Sequence, residues 1–236
     1  MAVGYFCYTR NRIFIDLNLP LDELHRGLTH NKRNSIRQSE KQGLIIKAYR
    51  GDDNALSEMH ALYQATHVKS AGRLTRLQAS FDQMLLAAKS GQATLFVAFV
   101  DGIPISFMYC GEFDRCAFTW SQVNNDDYEN AYSPRHLLEW KAILAYKQRH
   151  FAFYEVGVRW YGPQFFEVPS PKEMSIAFFN ERYGGELWTD MLFERFFDQG
   201  LFESVSHARL TRFLESEYFE AKADKRPEYA FALPQE

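Results

Sequence analysis

Short apolar runs separated by polar turns occupy both ends of the chain and its centre, while longer segments with a helical period lie between them. Val3–Tyr8 and Ile13–Leu17 read as strands, divided by the polar stretch Thr9-Arg10-Asn11-Arg12. Leu21–Leu28 and Asn31–Gln42 follow as short helices, the second stopped by Gly43, and Leu44–Tyr49 returns to extended structure. Two longer helices are predicted at Asp53–Val68 and Thr75–Ser90. The centre is strand-rich: Ala93–Val100, Ile103–Cys110 and Cys116–Val123, with the hairpin signal Asp101-Gly102 between the first two. A helix at Pro134–Gln148, a strand at Phe151–Val156 and an aromatic loop from Trp160 to Pro169 come next. A helix over Pro171–Tyr183, a strand at Leu187–Phe196 and an amphipathic helix over His207–Phe219 complete the pattern. The order predicts an α/β (α+β) fold, a mixed sheet of six or seven strands covered by helices on both faces.

Composition narrows the class. The chain has 236 residues, 46% hydrophobic, with 21 Phe and 13 Tyr, enough for a full core. One domain over residues 1–220 with a polar tail over 221–236 is the expected organisation. A net charge of −3 gives no global attraction to nucleic acid. No apolar run reaches the ~18 residues of a membrane span, and the N-terminus lacks signal-peptide character, which points to the cytoplasm. Cys7, Cys110 and Cys116 lack metal or redox spacing and read as free thiols; the His residues show no ligand spacing, so no metal is expected.

Several segments carry candidate chemistry. Ser170-Pro171-Lys172-Glu173 is a capping box, and the helix it starts ends at Gly184-Gly185. Asn180 falls within the apolar sector of that helix, so it either finds backbone partners or faces a cleft. Ser133-Pro134-Arg135-His136 is a second helix start, whose backbone amides and Arg135 suit a phosphate; most such starts hold nothing. Arg33, Arg37 and Lys41 recur every fourth residue as a basic stripe, either a solvated face or an anion-binding edge. Lys69, Arg73 and Arg76 form a second basic cluster. Glu155, at the end of its strand, can orient or deprotonate an amine, or lie inert at the surface. Trp160 and Tyr161 form either an acceptor wall or core packing.

Four stretches together resemble the GNAT-like domain of the Fem-type (FemAB-like) aminoacyltransferases. They are Ile13-Phe14-Ile15-Asp16-Leu17 with its following helix, Lys32 to Leu44, Tyr154-Glu155-Val156-Gly157, and Ile176 to Gly185. The resemblance covers about residues 13–195. It implies a GNAT-like, largely antiparallel central sheet and transfer of an acyl or aminoacyl group to an amine. Three departures concern the donor: Asn180 stands where the family has lysine, no long helical pair is present to serve as a tRNA arm, and the acetyl-CoA loop R/Q-x-x-G-x-G/A of ordinary GNAT enzymes is missing, with Ser133-Pro134-Arg135 in its place, so the donor is open from both sides. The resulting expectation is an N-acyltransferase that uses acyl-CoA and acts on an amino sugar or cell-envelope precursor. In it Glu155, Asn180 and Tyr183 are catalytic, Ser133, Arg135 and His136 hold the donor, and Trp160, Tyr161, Lys172 and Arg37 meet the substrate. An aminoacyl-tRNA-dependent enzyme and a non-catalytic GNAT-like binding module are the alternatives, and a homodimer would complete a cleft that a two-domain relative builds from one chain.

Overall fold

The computed structural model describes residues 3–162, 164 and 167–216. In chain order the elements are β1 (Gly4–Asp16), α1 (Leu21–Gly27), α2 (His30–Lys41), β2 (Ile45–Tyr49), α3 (Leu56–Ala71), α4 (Gln78–Lys89), β3 (Ala93–Val100), β4 (Ile103–Phe113) and β5 (Cys116–Asn124). Then come α5 (Asp126–Tyr132), α6 (Pro134–Gln148), β6 (Phe153–Arg159), α7 (Pro171–Glu181), β7 (Glu186–Phe196) and α8 (Gln199–Leu214). The strands are ordered β2-β3-β4-β5-β6-β1-β7 in one mostly antiparallel sheet.

The chain divides into two compact units. One contains residues 13–157 and 180–186; the other contains 1–12, 158–179 and 187–236. In the first, β3 is buried along its whole length, as its unbroken apolar sequence requires of a central strand. Tyr63, Phe81, Met84, Leu95, Val97 and Phe107 form its core with α3 and α4. Tyr63 donates to Ser121 Oγ at 2.7 Å and Tyr109 OH lies 2.8 Å from His60 Nδ1, so the polar tips of these aromatics are satisfied inside the apolar mass.

Three sequence expectations change. β1 is continuous where a turn was expected at Thr9–Arg12. That stretch has no Gly or Pro to turn on, and its arginines find carboxylates, Arg10 with Glu167 and Arg12 with Asp190. A short helix, α5, intervenes before α6, so Ser133 closes one helix and opens the next in a left-handed conformation (φ 46°), without a side-chain cap. The last helix, expected over His207–Phe219, runs instead over Gln199–Leu214: Asp198 caps the amide of Leu201 at 2.6 Å and the helix closes at Glu215, while residues 217–219 of the expected span lie outside the described residues. The Ser170–Glu173 capping box forms as read, with Ser170 N–H on Glu173 Oε2 at 2.7 Å and Glu173 N–H on Ser170 Oγ at 3.2 Å.

Candidate active site

The site of interest in the first unit is where β5 and β6 part. They pair in parallel over only three residues, Cys116↔Phe153, Ala117↔Tyr154 and Phe118↔Glu155. Just past the last pair, β5 bulges: Tyr109 faces Ser121 and Cys110 faces Thr119, leaving Trp120 as the extra residue. The bulge belongs to the β4–β5 ladder and lies just beyond Phe118↔Glu155, where the pairing of β5 with β6 ends and the two strands part in a wedge with Glu155 at its edge.

The crotch of the wedge is polar and buried. Glu139 on α6, 1% exposed, accepts from Thr119 Oγ1 and Tyr154 OH, both at 2.7 Å. It thereby ties α6 to both diverging strands. Burial raises its pKa, against the opposing effect of those two hydrogen bonds. Cys110 Sγ lies 3.6 Å from the same Tyr154 hydroxyl, and burial pushes its thiol pKa well up, so it is no nucleophile.

The start of α6 is held from two directions. Ser39 Oγ on α2 lies 3.0 Å from both Tyr132 O and Ser35 O of its own helix, with Ser133 O at 3.4 Å, and Gln42 donates to Ala131 O at 2.8 Å. The buried Tyr183 directs its hydroxyl at the carbonyls of Arg135 and His136, at 3.4 and 3.3 Å. Lys32, also on α2 and 1% exposed, lies with its amine 4.0 Å from the Tyr183 ring centroid. Burial, with Arg135 and Arg182 adding repulsion against the pull of Glu139, lowers its pKa to about 6. The same burial, with Lys32, Arg135 and Arg182 nearby, drives His136 to about 3, so its imidazole is neutral at physiological pH. It can hydrogen-bond a ligand there but carries no charge to it.

Asn180 is buried beside Gly157, two residues beyond Glu155. A Cβ on Gly157 would lie 2.6 Å from the Asn180 amide nitrogen, and Gly157 has φ +144°, a conformation that disfavours any side chain. The pair seals the end of β6 against the end of α7. The chain then turns at Gly184 and Gly185, where a Cβ would lie 2.7 Å from Gly27 O and 2.5 Å from Phe14 O respectively. The glycines read as helix stops thus also allow two backbones to meet.

Glu155, Asn180, Tyr183, Ser133, Arg135 and His136 all belong to this unit, and direct contacts join Tyr183 to the first turn of α6. Arg37 is exposed on α2, away from the buried face that carries Lys32. The basic stripe is not uniform: Arg33 folds back onto the C-terminal carbonyls of α1, including Leu28 O and Arg26 O, which leaves Arg37 and Lys41 as its solvated members. Of the second cluster, Lys69 is paired with Asp127 at 2.6 Å. Trp160, Tyr161 and Lys172 belong to the other unit. There Trp160 lines a cavity of about 400 Å³ with Tyr8, Glu167, Glu173, Glu194 and Arg209, among others. Tyr161 is exposed under the guanidinium of Arg159, and Lys172 is exposed.

Sequence reasoning missed Lys32 and Glu139 as site residues. Lys32 was hidden among solvated cations; its helical offset from Ile36 and Ser39, which share its buried face, was the available signal. Glu139 sits between apolar Leu138 and Trp140, and a lone acid in such a run is worth a partner search. Among the described residues no group of three or more His, Cys, Asp or Glu could hold a metal ion, and no helix is long and apolar enough to cross a membrane.

The seven-stranded sheet, with a three-pair parallel ladder between β5 and β6, is the frame in which the chain compares with known proteins. Residues 28–164, more than half of the chain, match the model of the acetyltransferase (GNAT) domain. The chain belongs to the GNAT acetyltransferase family. A search of curated proteins finds no match. Solved structures share the fold: FemX at TM-score 0.63 and 13% identity, over 84% of this chain and 64% of FemX. L-PGS from Bacillus licheniformis superposes at 0.58 and 11%, over 89% of this chain and 67% of its own, and the C-terminal DUF2156 domain of an Agrobacterium fabrum protein at 0.60 and 11%, over 89% and 66%. The chain thus spans about two thirds of each.

Proposed function

We propose that the protein is an N-acyltransferase that moves an acyl group from acyl-CoA to an amine, with an amino sugar or cell-envelope precursor as acceptor. The observation that carries this reading is the three-pair β5–β6 ladder, ending at Glu155 beside a bulge and in the same unit as the start of α6. An extended thioester can lie between diverging strands while its phosphates meet the Ser133–His136 turn, where Arg135 supplies the charge and Ser133 and the neutral His136 supply hydrogen bonds. The amine nitrogen attacks the thioester carbonyl carbon; the C–N bond forms and the C–S bond breaks. Glu155 takes the proton that the amine loses on attack, directly or through a water, and that proton passes to the departing thiolate, which leaves as free thiol. Asn180 orients the acceptor. Tyr183, whose hydroxyl is engaged with the carbonyls of Arg135 and His136 and whose pKa burial raises, acts as a positioning residue for the donor turn. Arg37 in this unit and, separately, Trp160, Tyr161 and Lys172 in the other are the candidate acceptor-binding residues, and Trp160, lining the cavity there, offers an aromatic face to a sugar ring.

Titration calorimetry with acetyl-CoA and longer acyl-CoAs tests this directly. Binding is expected in the wild type, lost in Arg135→Ala and kept in Glu155→Gln, whose turnover falls by ~10²–10⁴. Absence of binding by every acyl-CoA refutes the reading. Tight binding of charged tRNA, weakening steeply with salt, would favour the aminoacyl-tRNA-dependent alternative instead.

A further inference from the structure

In the unit that holds β7, α8 and the first part of β1, one sheet face is covered by α8 and the other is exposed among the described residues. On the covered face, Phe202 of α8 stacks on Phe6 at 5.2 Å and meets Phe196 edge-on at 5.4 Å, while Arg209 binds Glu194 at 2.7 Å and lies over the Phe6 ring. Packing there is close enough that a Cβ at Gly4 would lie 2.8 Å from Phe202. Because strand side chains alternate, the intervening residues point the other way. Those residues are Val3, Tyr5 and Cys7 of the β1 side and Leu187, Met191 and Phe193 of β7, and all are exposed: Tyr5 69%, Met191 62%, Phe193 66%, Val3 and Leu187 each 47%.

We propose that this face is the contact surface of a homodimer, a second copy of the chain packing on it face to face. The size fits. Aromatic side chains present ~150–250 Å² each, so the exposed parts of these six residues amount to roughly 500 Å² of apolar surface, the size of the largest patch on a typical monomer, which is often functional. With Thr9, Thr189 and Arg195 from the same alternating set, the face approaches the roughly 800 Å² per partner of a standard stable interface. Its charge fits a copy of itself better than a lipid surface. Among the described residues Arg195 is the one cation of the alternating set, and the chain as a whole is at −3, which gives little attraction to anionic headgroups. A near-neutral apolar sheet face is self-complementary, as a two-fold contact requires, and two such faces stack about 10 Å apart with their side chains interleaved.

Sedimentation velocity of the full chain, from about 1 to 50 µM, tests the proposal against a chain mass of 27.6 kDa. The wild type is expected to populate a species of twice the chain mass, and Phe193→Asp and Met191→Asp are each expected to sediment as monomers with unchanged far-ultraviolet dichroism. Cys7 offers a readout that needs no variant: maleimide should label it more slowly as protein concentration rises, by ten-fold or more when dimer dominates. A monomer at every concentration overturns the proposal, as does a dimer indifferent to both substitutions. Cosedimentation with phosphatidylglycerol vesicles that Phe193→Asp abolishes, in a protein that stays monomeric, assigns the face to lipid and overturns it too.

Discussion

Replacing Lys32 with methionine should make the protein more stable and remove a pH dependence. The amine is held near 6 in the folded protein against 10.5 for an ordinary lysine. Between those values the unfolded chain carries a proton that the folded chain lacks, so stability rises with pH across that window. The slope is about 1.4 kcal/mol per pH unit, and below pH 6, where both states are protonated, the full penalty of burying the charge is present. At pH 7, keeping the amine neutral costs about 5 kcal/mol by the same conversion. Methionine has a similar reach and avoids that cost while forgoing the amine's contact with the Tyr183 ring. A net gain below that ~5 kcal/mol is expected here. The groups facing the amine are Glu139, Arg135 and His136 from α6, with Tyr183 and Arg182 beyond α7. All of them remain in the variant, so the difference between the two proteins isolates Lys32. Urea unfolding at pH 7 and pH 9 should show the wild type gaining about 3 kcal/mol relative to Lys32→Met over that interval. A variant less stable than wild type at pH 7, with no difference in slope, would mean that Lys32 is charged and paired with Glu139, and the argument for a neutral amine would fall.

Other consequences are simpler to read. Gly157→Ala puts a methyl group against the Asn180 amide in a φ that side chains avoid, and should lower stability by about 1–3 kcal/mol; Asn180→Ala in the same chain should recover only the steric part. Ser170→Ala breaks the capping box and should cost about 1 kcal/mol by thermal unfolding, without altering ligand binding at α6. Tyr183→Phe should weaken acyl-CoA binding more than it slows turnover of bound donor, because its hydroxyl holds the donor turn; an effect confined to kcat would point to proton transfer instead.

The sequence carried the elements well where local chemistry was strong. The Asp101-Gly102 hairpin, the Ser170–Glu173 box and the Gly184-Gly185 stop each act within a few residues, and each sits where the pattern put it. It carried less where long-range partners decide. The run Thr9–Arg12 looked like a turn because its polarity gives no hint of Glu167 and Asp190, more than 150 residues away. The site shows the same division. Glu155 and Asn180 stood out by their position in strand and helix, whereas the bulge at Trp120 is a property of register between two strands and leaves no mark on either alone. Lys32 and Glu139 escaped for a related reason, since charge reads as surface until packing shows otherwise.

The first turn of α6 is pinned by Ser39, more than 90 residues earlier in the chain, and by Tyr183, nearly 50 residues later. Both tethers join the turn to residues distant in the chain, so its geometry depends on the packing of the whole unit. A ligand bound there would therefore be read by the whole unit rather than by a local loop. Amide exchange throughout β5, β6 and α2 would slow together on binding, and the melting temperature would climb with ligand concentration.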